Sequence, residues 1–248
     1  MKIEHVQILH TPSADSPFLV VVKPAGLPSA PLRAGEESVL TEAIRLFPEI
    51  ENVHGKKDVE KGLVHRIDTE TTGLVLIATT QESYDALIRA QQDNRFEKWY
   101  RAEVERIPDC ARLLAGFPPV PKSALCESGN AKKEFTVTSA FRAFGVKGQQ
   151  VRPVTESAGR AALKKGGTTQ YTTEISFESE TVALCHITRG FRHQVRSHLA
   201  WCGFPVKGDA LYNPHARECS PDAHDMRFFA TKISFPHPLT QVPQVFEM

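Results

Sequence analysis

The sequence lacks the features that mark a membrane protein, a secreted protein or a small metal-bound domain. No apolar run approaches the roughly 20 residues of a membrane span, and the apolar run at residues 18–22 is too short for a secretory signal. The 5 cysteines are odd in number and form no CxxC pair, so neither a disulfide framework nor a zinc knuckle is indicated. We therefore expect reduced, buried thiols and a cytoplasmic location.

The chain also lacks a strong net charge, because 30 Lys and Arg residues face 29 Asp and Glu residues. Many RNA-binding proteins are strongly basic, so the overall charge alone does not indicate a nucleic-acid partner. The local distribution differs: residues 142–170 are basic with Glu156 as their single acid, and residues 181–208 contain no acid. Because phosphates are met by one face of a protein, either segment is a candidate RNA-binding surface or, alternatively, a solvated basic loop.

The pattern of apolar residues predicts more strands than helices. Period-two alternation at residues 99–104, 134–141, 170–177 and 181–188 and the apolar runs 18–22 and 73–78 indicate strands. Ser38 and Thr80 are placed to begin helices, a third helix is predicted at residues 193–202, and residues between 141 and 170 are expected to form a long hairpin loop. Since helices and strands do not alternate strictly, we predict an α+β fold with a mixed, largely antiparallel sheet flanked by helices.

Several motifs occur in a fixed order along the chain. The segment HRIDTETTGLVLIA begins at His65, Lys98-Trp99-Tyr100 opens a strand, and HQVRSHLAWCGFPVKGDALY begins at His193. An aspartate such as Asp68, considered alone, usually caps a turn or pairs with a nearby arginine. Together with Lys23-Pro24-Ala25-Gly26 and the late run RFFATKISFPHP, however, these motifs resemble the RluA-type family of RNA pseudouridine synthases from about residue 22 to residue 238.

The resemblance implies one pseudouridine synthase catalytic domain over residues 1–248, with a core at about 18–240 and no N-terminal S4 RNA-binding domain. It implies an isomerase that converts uridines of ribosomal or transfer RNA into pseudouridine. We expect a monomer with RNA as its partner, no membrane association, no metal and no cofactor. Two alternatives are a non-catalytic RNA-binding protein of the same fold and a zinc site; the latter would use residues among Cys185, His186, His193, His198 and Cys202.

The resemblance also implies roles for individual residues. Asp68 is the expected catalytic carboxylate, Tyr100 is expected to stack on the uracil, and Arg196 is expected to pair with Asp68 and keep it ionised. Arg66 is expected to fill the space that the extruded nucleotide leaves in the RNA stack. The two basic segments add Arg192, Lys164 and Lys165 as expected RNA-binding residues. The chain departs from the family pattern TGRxHQIR at one position, where Phe191 replaces an arginine.

Overall fold

The computed structural model describes residues 6–31, 33, 35–124, 133–155, 167–216 and 225–248. The strands are β1 (Gln7–His10), β2 (Phe18–Lys23), β3 (Thr72–Ala78), β4 (Glu97–Glu103), β5 (Glu134–Phe144), β6 (Gln150–Val154), β7 (Tyr171–Ser179), β8 (Val182–Ile187), β9 (Phe228–Pro236) and β10 (Pro243–Glu247). The α-helices are α1 (Val39–Leu46), α2 (Gln81–Gln92), α3 (Cys110–Leu113) and α4 (Gln194–Trp201). Single turns of 3₁₀ helix occur at Pro48–Asn52, Asp58–Glu60, Lys122–Ala124 and Val146–Gly148.

The chain forms two compact units. The first consists of Met1–Trp99 and Phe229–Met248, and the second of Tyr100–Phe228. In the first unit the strand order is β1-β2-β3-β9, with β10 on β9; the β3–β9 pair is parallel and the other pairs are antiparallel. In the second unit the order is β4-β8-β7-β5-β6, and the pairs β8–β7, β7–β5 and β5–β6 are antiparallel. The predicted mixed, largely antiparallel α+β fold is confirmed.

Helices α1 and α2 begin where their capping residues predict. The Ser38 side chain accepts a hydrogen bond from the Thr41 backbone N–H, and the Thr41 side chain accepts one from Ser38 N–H, which completes a capping box. Thr80 likewise accepts from the Ser83 N–H at the start of α2. Capping satisfies N–H groups that have no partner within the helix, so these two local signals locate the helix starts correctly.

Each unit has its own apolar core. In the first unit the core packs side chains of β2 and β3, such as Phe18 and Leu74, against Phe96 and Phe235. In the second unit the core is built from Ile107, Cys110, Phe141, Val151, Ala200 and Tyr212. Gly73 shows how closely β3 and β9 approach, since a Cβ at this position would lie 2.3 Å from the Ala230 carbonyl oxygen. A larger residue at position 73 would therefore force the two strands apart.

One expectation is corrected by the structure. The stretch between residues 141 and 170 is not simply a loop, because β6 pairs with the end of β5 in an antiparallel hairpin. Helix α4 ends before Gly203 as predicted, with Gly203 in the left-handed conformation at φ +86°, but all of its residues are buried. Helix α4 therefore has no solvated face, and Arg196 is buried with it.

Candidate active site

Asp68 lies in the irregular segment between the Asp58–Glu60 turn and β3. Its backbone carbonyl accepts a hydrogen bond from the Thr71 N–H at 3.0 Å, which makes the tight turn that precedes the strand. The residues before it alternate, with His65 and Ile67 buried and Arg66 exposed, while Asp68 itself is half-buried. The carboxylate is thus carried by a turn whose two sides are anchored in the core.

Ser29 fixes the backbone immediately before Asp68. Its hydroxyl donates to the Ile67 carbonyl at 2.8 Å and accepts from the Ile67 N–H at 3.2 Å, and both residues are buried. A single hydroxyl therefore satisfies both backbone groups of Ile67, as a neighbouring strand would do elsewhere. This arrangement limits the movement of the peptide that leads into Asp68.

Lys23 fixes the backbone immediately after Asp68. Its side chain is completely buried at the end of β2. Its Nζ donates to three backbone carbonyls, those of Pro24 at 2.8 Å, Leu27 at 2.7 Å and Thr69 at 2.6 Å. Because an ammonium group has three N–H donors, these carbonyls satisfy it fully. Lys23 thereby joins the turn after β2 to the turn that carries Asp68.

The charge of Lys23 also contributes to the electrostatics around Asp68. Burial lowers the pKa of Lys23 to about 8, and the negative charges of Glu70 and Asp68 act in the opposite direction. A cation and a carboxylate that interact in this way each favour the ionised form of the other. The position of Lys23 in the sequence, at the end of an apolar strand, gave no sign of this function.

His65, the first residue of the motif, is buried and neutral. Its Nε2 accepts a hydrogen bond from the Leu76 N–H at 3.1 Å, and its ring makes an edge contact with Phe96. Burial, together with the nearby positive charge of Lys98, lowers the pKa of His65 to about 3. An imidazole that is neutral throughout the physiological range and already accepts a backbone hydrogen bond is suited to holding the loop against β3 rather than to proton transfer.

Arg66 points to solvent next to a carboxylate. Its Nη1 lies 3.0 Å from the Glu60 Oε1, and its side chain is 55% exposed, compared with 11% for that of Glu60. Glu60 therefore binds one edge of the Arg66 guanidinium, and the rest of the guanidinium is open to solvent. The expected insertion of Arg66 into an RNA stack stays a prediction, and Glu60 would compete with the RNA for this side chain.

Tyr100 lies on β4, where residues 98, 100 and 102 are buried and their neighbours are half-buried. Its ring is stacked on Phe228, with 5.1 Å between the ring centroids and an interplanar angle of 6°. Phe228 was not identified from the sequence, where it is one of several aromatic residues in RFFATKISFPHP. It supports one face of the tyrosine ring, as a stacking platform requires. That Tyr100 stacks on uracil stays a prediction.

Arg196 forms a buried, two-pronged ion pair with Asp209. The Arg196 Nε lies 2.7 Å from Oδ2 and its Nη2 lies 2.7 Å from Oδ1, and the two side chains are 5% and 0% exposed. Asp209 Oδ1 also accepts from the backbone N–H groups of Leu211 and Tyr212. Asp209 was seen in the sequence only as part of a motif, with no partner assigned. The predicted pairing of Arg196 with Asp68 concerns residues of different units and stays a prediction.

The roles of Arg192, Lys164 and Lys165 in RNA binding stay predictions. Arg192 is exposed, and its Nη2 donates to the carbonyls of Gly148 and Gln150. Lys164 and Lys165 lie outside the described residues. Arg152, in the same basic stretch, is buried, and its guanidinium donates to the carbonyls of Ala115 and Val151 and to the side chain of Gln150. Arg152 therefore holds the fold together and is not available to phosphates.

Three residues of the cluster considered for zinc are buried in the second unit. His198 is buried, and its two ring nitrogens lie 2.9 Å from the hydroxyls of Ser139 and Thr173. Cys185 and Cys202 are buried free thiols whose pKa values are raised by burial. Over the described ranges, no group of three or more His, Cys, Asp or Glu residues is arranged to hold a metal ion.

Sequence comparison relates the chain to known proteins. The family model described as RNA pseudouridylate synthase matches residues 17–201. The dual-specificity RNA pseudouridine synthase RluA of Escherichia coli is 28% identical over 227 residues, which cover 90% of this chain and 85% of RluA. The ribosomal large subunit pseudouridine synthase D of Pseudomonas aeruginosa is 28% identical over 204 residues, covering 82% of this chain and 53% of that protein. The chain thus spans about half the length of the latter relative.

Comparison with solved structures gives the same fold. Human RNA pseudouridylate synthase domain containing 1 superposes with a TM-score of 0.65 at 18% identity, covering 100% of this chain and 84% of that chain. Human RNA pseudouridylate synthase domain containing 4 gives a TM-score of 0.61 at 18% identity, covering 98% and 87%. With the match of residues 17–201, the chain belongs to the RNA pseudouridylate synthase family, as an RluA-like member of this group of isomerases that act on RNA.

Proposed function

We propose that this chain converts specific uridines of ribosomal or transfer RNA into pseudouridine, with Asp68 as the catalytic carboxylate. The observation that carries the proposal is the construction of the Asp68 turn. Ser29 fixes the residue before Asp68, and Lys23 fixes the residue after it. Asp68 is thus a half-buried carboxylate whose two neighbouring residues are fixed, and it interacts with the buried cation of Lys23. A reaction at one sugar carbon needs a catalytic group that is positioned in this way.

The reaction itself requires no cofactor. The C1′–N1 bond of the uridine breaks, the uracil turns, and a C1′–C5 bond forms, while C5 loses a proton and N1 gains one. A carboxylate can act on such a reaction as a nucleophile or by stabilising positive charge at the sugar carbon. Either role needs Asp68 to be ionised, and the positive charge of Lys23 favours that state.

The other residues are proposed in supporting roles. Tyr100, backed by Phe228, would stack on the uracil and hold it between the two steps. Arg196, fixed by Asp209, would supply a planar cation for the catalytic carboxylate, as the family resemblance implies. Arg66 would take the place of the extruded nucleotide, since a base within a stack is out of reach of an enzyme.

The substrate is proposed at the level of RNA class. RluA is named a dual-specificity RNA pseudouridine synthase, the Pseudomonas relative acts on the ribosomal large subunit, and a tRNA pseudouridine(31) synthase of Saccharomyces cerevisiae is 26% identical over 202 residues. Ribosomal and transfer RNA are therefore the two candidates. Arg192, Lys164 and Lys165 are proposed to contact the RNA backbone, which carries the negative charge.

The proposed function extends to the domain organisation, oligomeric state, location and cofactor requirement of the protein. We propose that residues 1–248 act as one catalytic domain with its core at about 18–240, that the protein is a monomer, and that it works in the cytoplasm without a metal or cofactor. Every helix in the described part of the chain is too short or too polar to traverse a lipid bilayer.

The experiment that tests the proposal compares RNA from cells with and without the protein. Pseudouridine is mapped at single-nucleotide resolution in total RNA from a deletion strain, from the same strain expressing the chain, and from the strain expressing Asp68→Asn. The proposal predicts one or more sites that appear only with the unaltered chain. Identical maps in all three strains would contradict it.

A further inference from the structure

An exposed aromatic ring occupies the position at which the family pattern has an arginine. Phe191 is 36% exposed, and its neighbours Arg189, Gly190 and Arg192 are exposed as well. The surrounding segment, residues 181–208, contains no acidic residue. Single exposed apolar side chains are common on protein surfaces, so the exposure of Phe191 gains meaning only from its basic surroundings and from its fixed orientation.

The ring of Phe191 is held in one orientation. It lies parallel to the ring of the buried Phe141, with centroids 5.1 Å apart and an interplanar angle of 4°. Tyr171 packs against it at 5.0 Å with the rings inclined by 52°. Phe141 therefore covers one face of the Phe191 ring, and the exposed part of the ring is presented to solvent in a fixed plane.

Hydrogen bonds also fix the backbone of the loop that carries Phe191. The Phe191 N–H donates to the Gln194 side-chain oxygen at 2.9 Å, and the Gln194 amide donates to the Thr172 carbonyl at 2.9 Å and to the Thr173 hydroxyl at 3.1 Å. The Arg192 Nη2 donates hydrogen bonds to the carbonyls of Gly148 and Gln150. A ligand that bound to this ring would therefore not need to order the loop first, which removes a cost of binding.

We propose that Phe191 is a base-stacking platform, on which an unstacked nucleobase of the RNA substrate, other than the target uridine, lies against the exposed part of the ring. Arg189 and Arg192 stand on either side of the ring in the sequence and supply positive charge for the adjoining phosphates. This inference rests on the proposed function and refines its substrate class. Because a base within a duplex has both faces covered, the substrate is an RNA with a loop, bulge or single-stranded segment beside the target.

The replacement of arginine by phenylalanine gives the proposal a chemical signature. An arginine at this position would bind phosphate and would release counterions, so its contribution would fall with salt. A stacked phenylalanine carries no charge and releases no counterions, so its contribution to binding is nearly independent of salt. The two side chains can therefore be distinguished by the salt dependence of RNA binding as well as by its strength.

The test uses four variants of the full chain: Phe191→Leu, Phe191→Trp, Phe191→Arg and, as a control at an exposed apolar position of the second unit, Leu113→Ala. Binding is measured by fluorescence anisotropy with a labelled, unstructured 12-nucleotide RNA, and turnover is measured on an RNA that the unaltered chain modifies. Thermal unfolding of each variant shows whether it folds. Cross-linking uses the same oligonucleotide carrying 5-iodouridine, with the attached peptide identified by mass spectrometry.

We expect Phe191→Leu to raise Kd and KM about 5- to 150-fold, the range of one stacked base, with kcat and the salt slope unchanged. Phe191→Trp keeps or improves binding, Leu113→Ala behaves as the unaltered chain, and the cross-link lies at Phe191. Phe191→Arg steepens the slope of log affinity against log salt by about 0.7.

Three results would overturn the platform: unchanged Kd in Phe191→Leu, an equal loss of kcat in Phe191→Leu and Phe191→Trp, or a dimer that Phe191→Leu dissociates. The last result would assign the ring to self-association. The same experiments distinguish a failure of the stacking platform from a failure of the proposed function. A chain that cross-links RNA at Phe191 but isomerises no uridine contradicts the proposed function alone, and a chain that isomerises uridine with unchanged KM in Phe191→Leu contradicts the platform alone.

Discussion

The buried pair between Arg196 and Asp209 gives the most quantitative prediction. In Asp209→Asn one oxygen remains to accept from Arg196 Nη2 and from the backbone N–H groups of Leu211 and Tyr212, while an NH₂ group takes the place of the oxygen that faces Arg196 Nε. Two donors then face each other, and the guanidinium loses its counter-charge. Disrupting a buried pair in this way costs about 3–5 kcal/mol in the free energy of unfolding.

That loss is large compared with a typical stability of about 5–15 kcal/mol. For a chain of this size it corresponds to a fall in the melting temperature of roughly 6–20 °C. The assay is urea unfolding followed by circular dichroism, with Arg45→Gln as the matched control. Arg45 also makes a two-pronged contact, through Nη1 and Nη2, with Glu37, but both side chains are exposed, so the midpoint should hardly move.

A double variant separates stability from catalysis. Replacing both partners by apolar residues, Arg196→Met with Asp209→Leu, removes the buried charges together and should recover most of the lost stability. The double variant should nevertheless be inactive, because it lacks the guanidinium proposed to act on the carboxylate. If Asp209→Asn unfolds within about 1 kcal/mol of the unaltered chain, the pair does not hold Arg196 in the way described.

Three further predictions concern the uracil, the RNA backbone and the buried lysine. Tyr100→Ala should lose far more turnover than Tyr100→Phe, because a stacking surface needs the ring rather than the hydroxyl; equal losses in a single-turnover assay would point to the hydroxyl. Neutralising Lys164 and Lys165 should flatten the slope of log affinity against log salt by about 0.7 per phosphate contact on single strands, and an unchanged slope would remove both residues from the interface. The pKa of Lys23 is lowered to about 8 in the folded state, so the unfolded state binds more protons between pH 8 and its ordinary value of 10.5. Urea unfolding across this range should show the unaltered chain gaining stability relative to Lys23→Met as pH rises, and a constant difference would mean that folding does not lower the pKa of Lys23.

Helix ends and much of the strand pattern could be predicted because their signals are local. Ser38 and Thr80 cap the helices that follow them, and Gly203 ends α4, since each acts on backbone groups within a few residues. Strand β6 was missed because its sequence, with Arg152 and Pro153, is not typical of a strand. Its pairing with β5, which no local pattern reveals, makes it one.

The supports of the site could not be predicted because they join distant parts of the chain. Lys23 reaches the Thr69 carbonyl, and Ser29 reaches Ile67, across long stretches of sequence. Neither contact leaves a periodic pattern. The burial of Arg196 could not be predicted either. An arginine on a helix is ordinarily solvated, and it becomes buried only when it pairs with a carboxylate such as that of Asp209.

Asp68 is proposed to perform the reaction, and the rate of pseudouridine formation tests this role most directly. Purified Asp68→Asn and the unaltered chain are compared in a single-turnover assay that follows release of tritium from C5-labelled uridine in an RNA that the unaltered chain modifies. The amide keeps the size of the side chain and removes its charge, so the variant should bind this RNA and unfold normally while forming no pseudouridine. Turnover by Asp68→Asn above a few per cent of the unaltered rate would contradict the assignment.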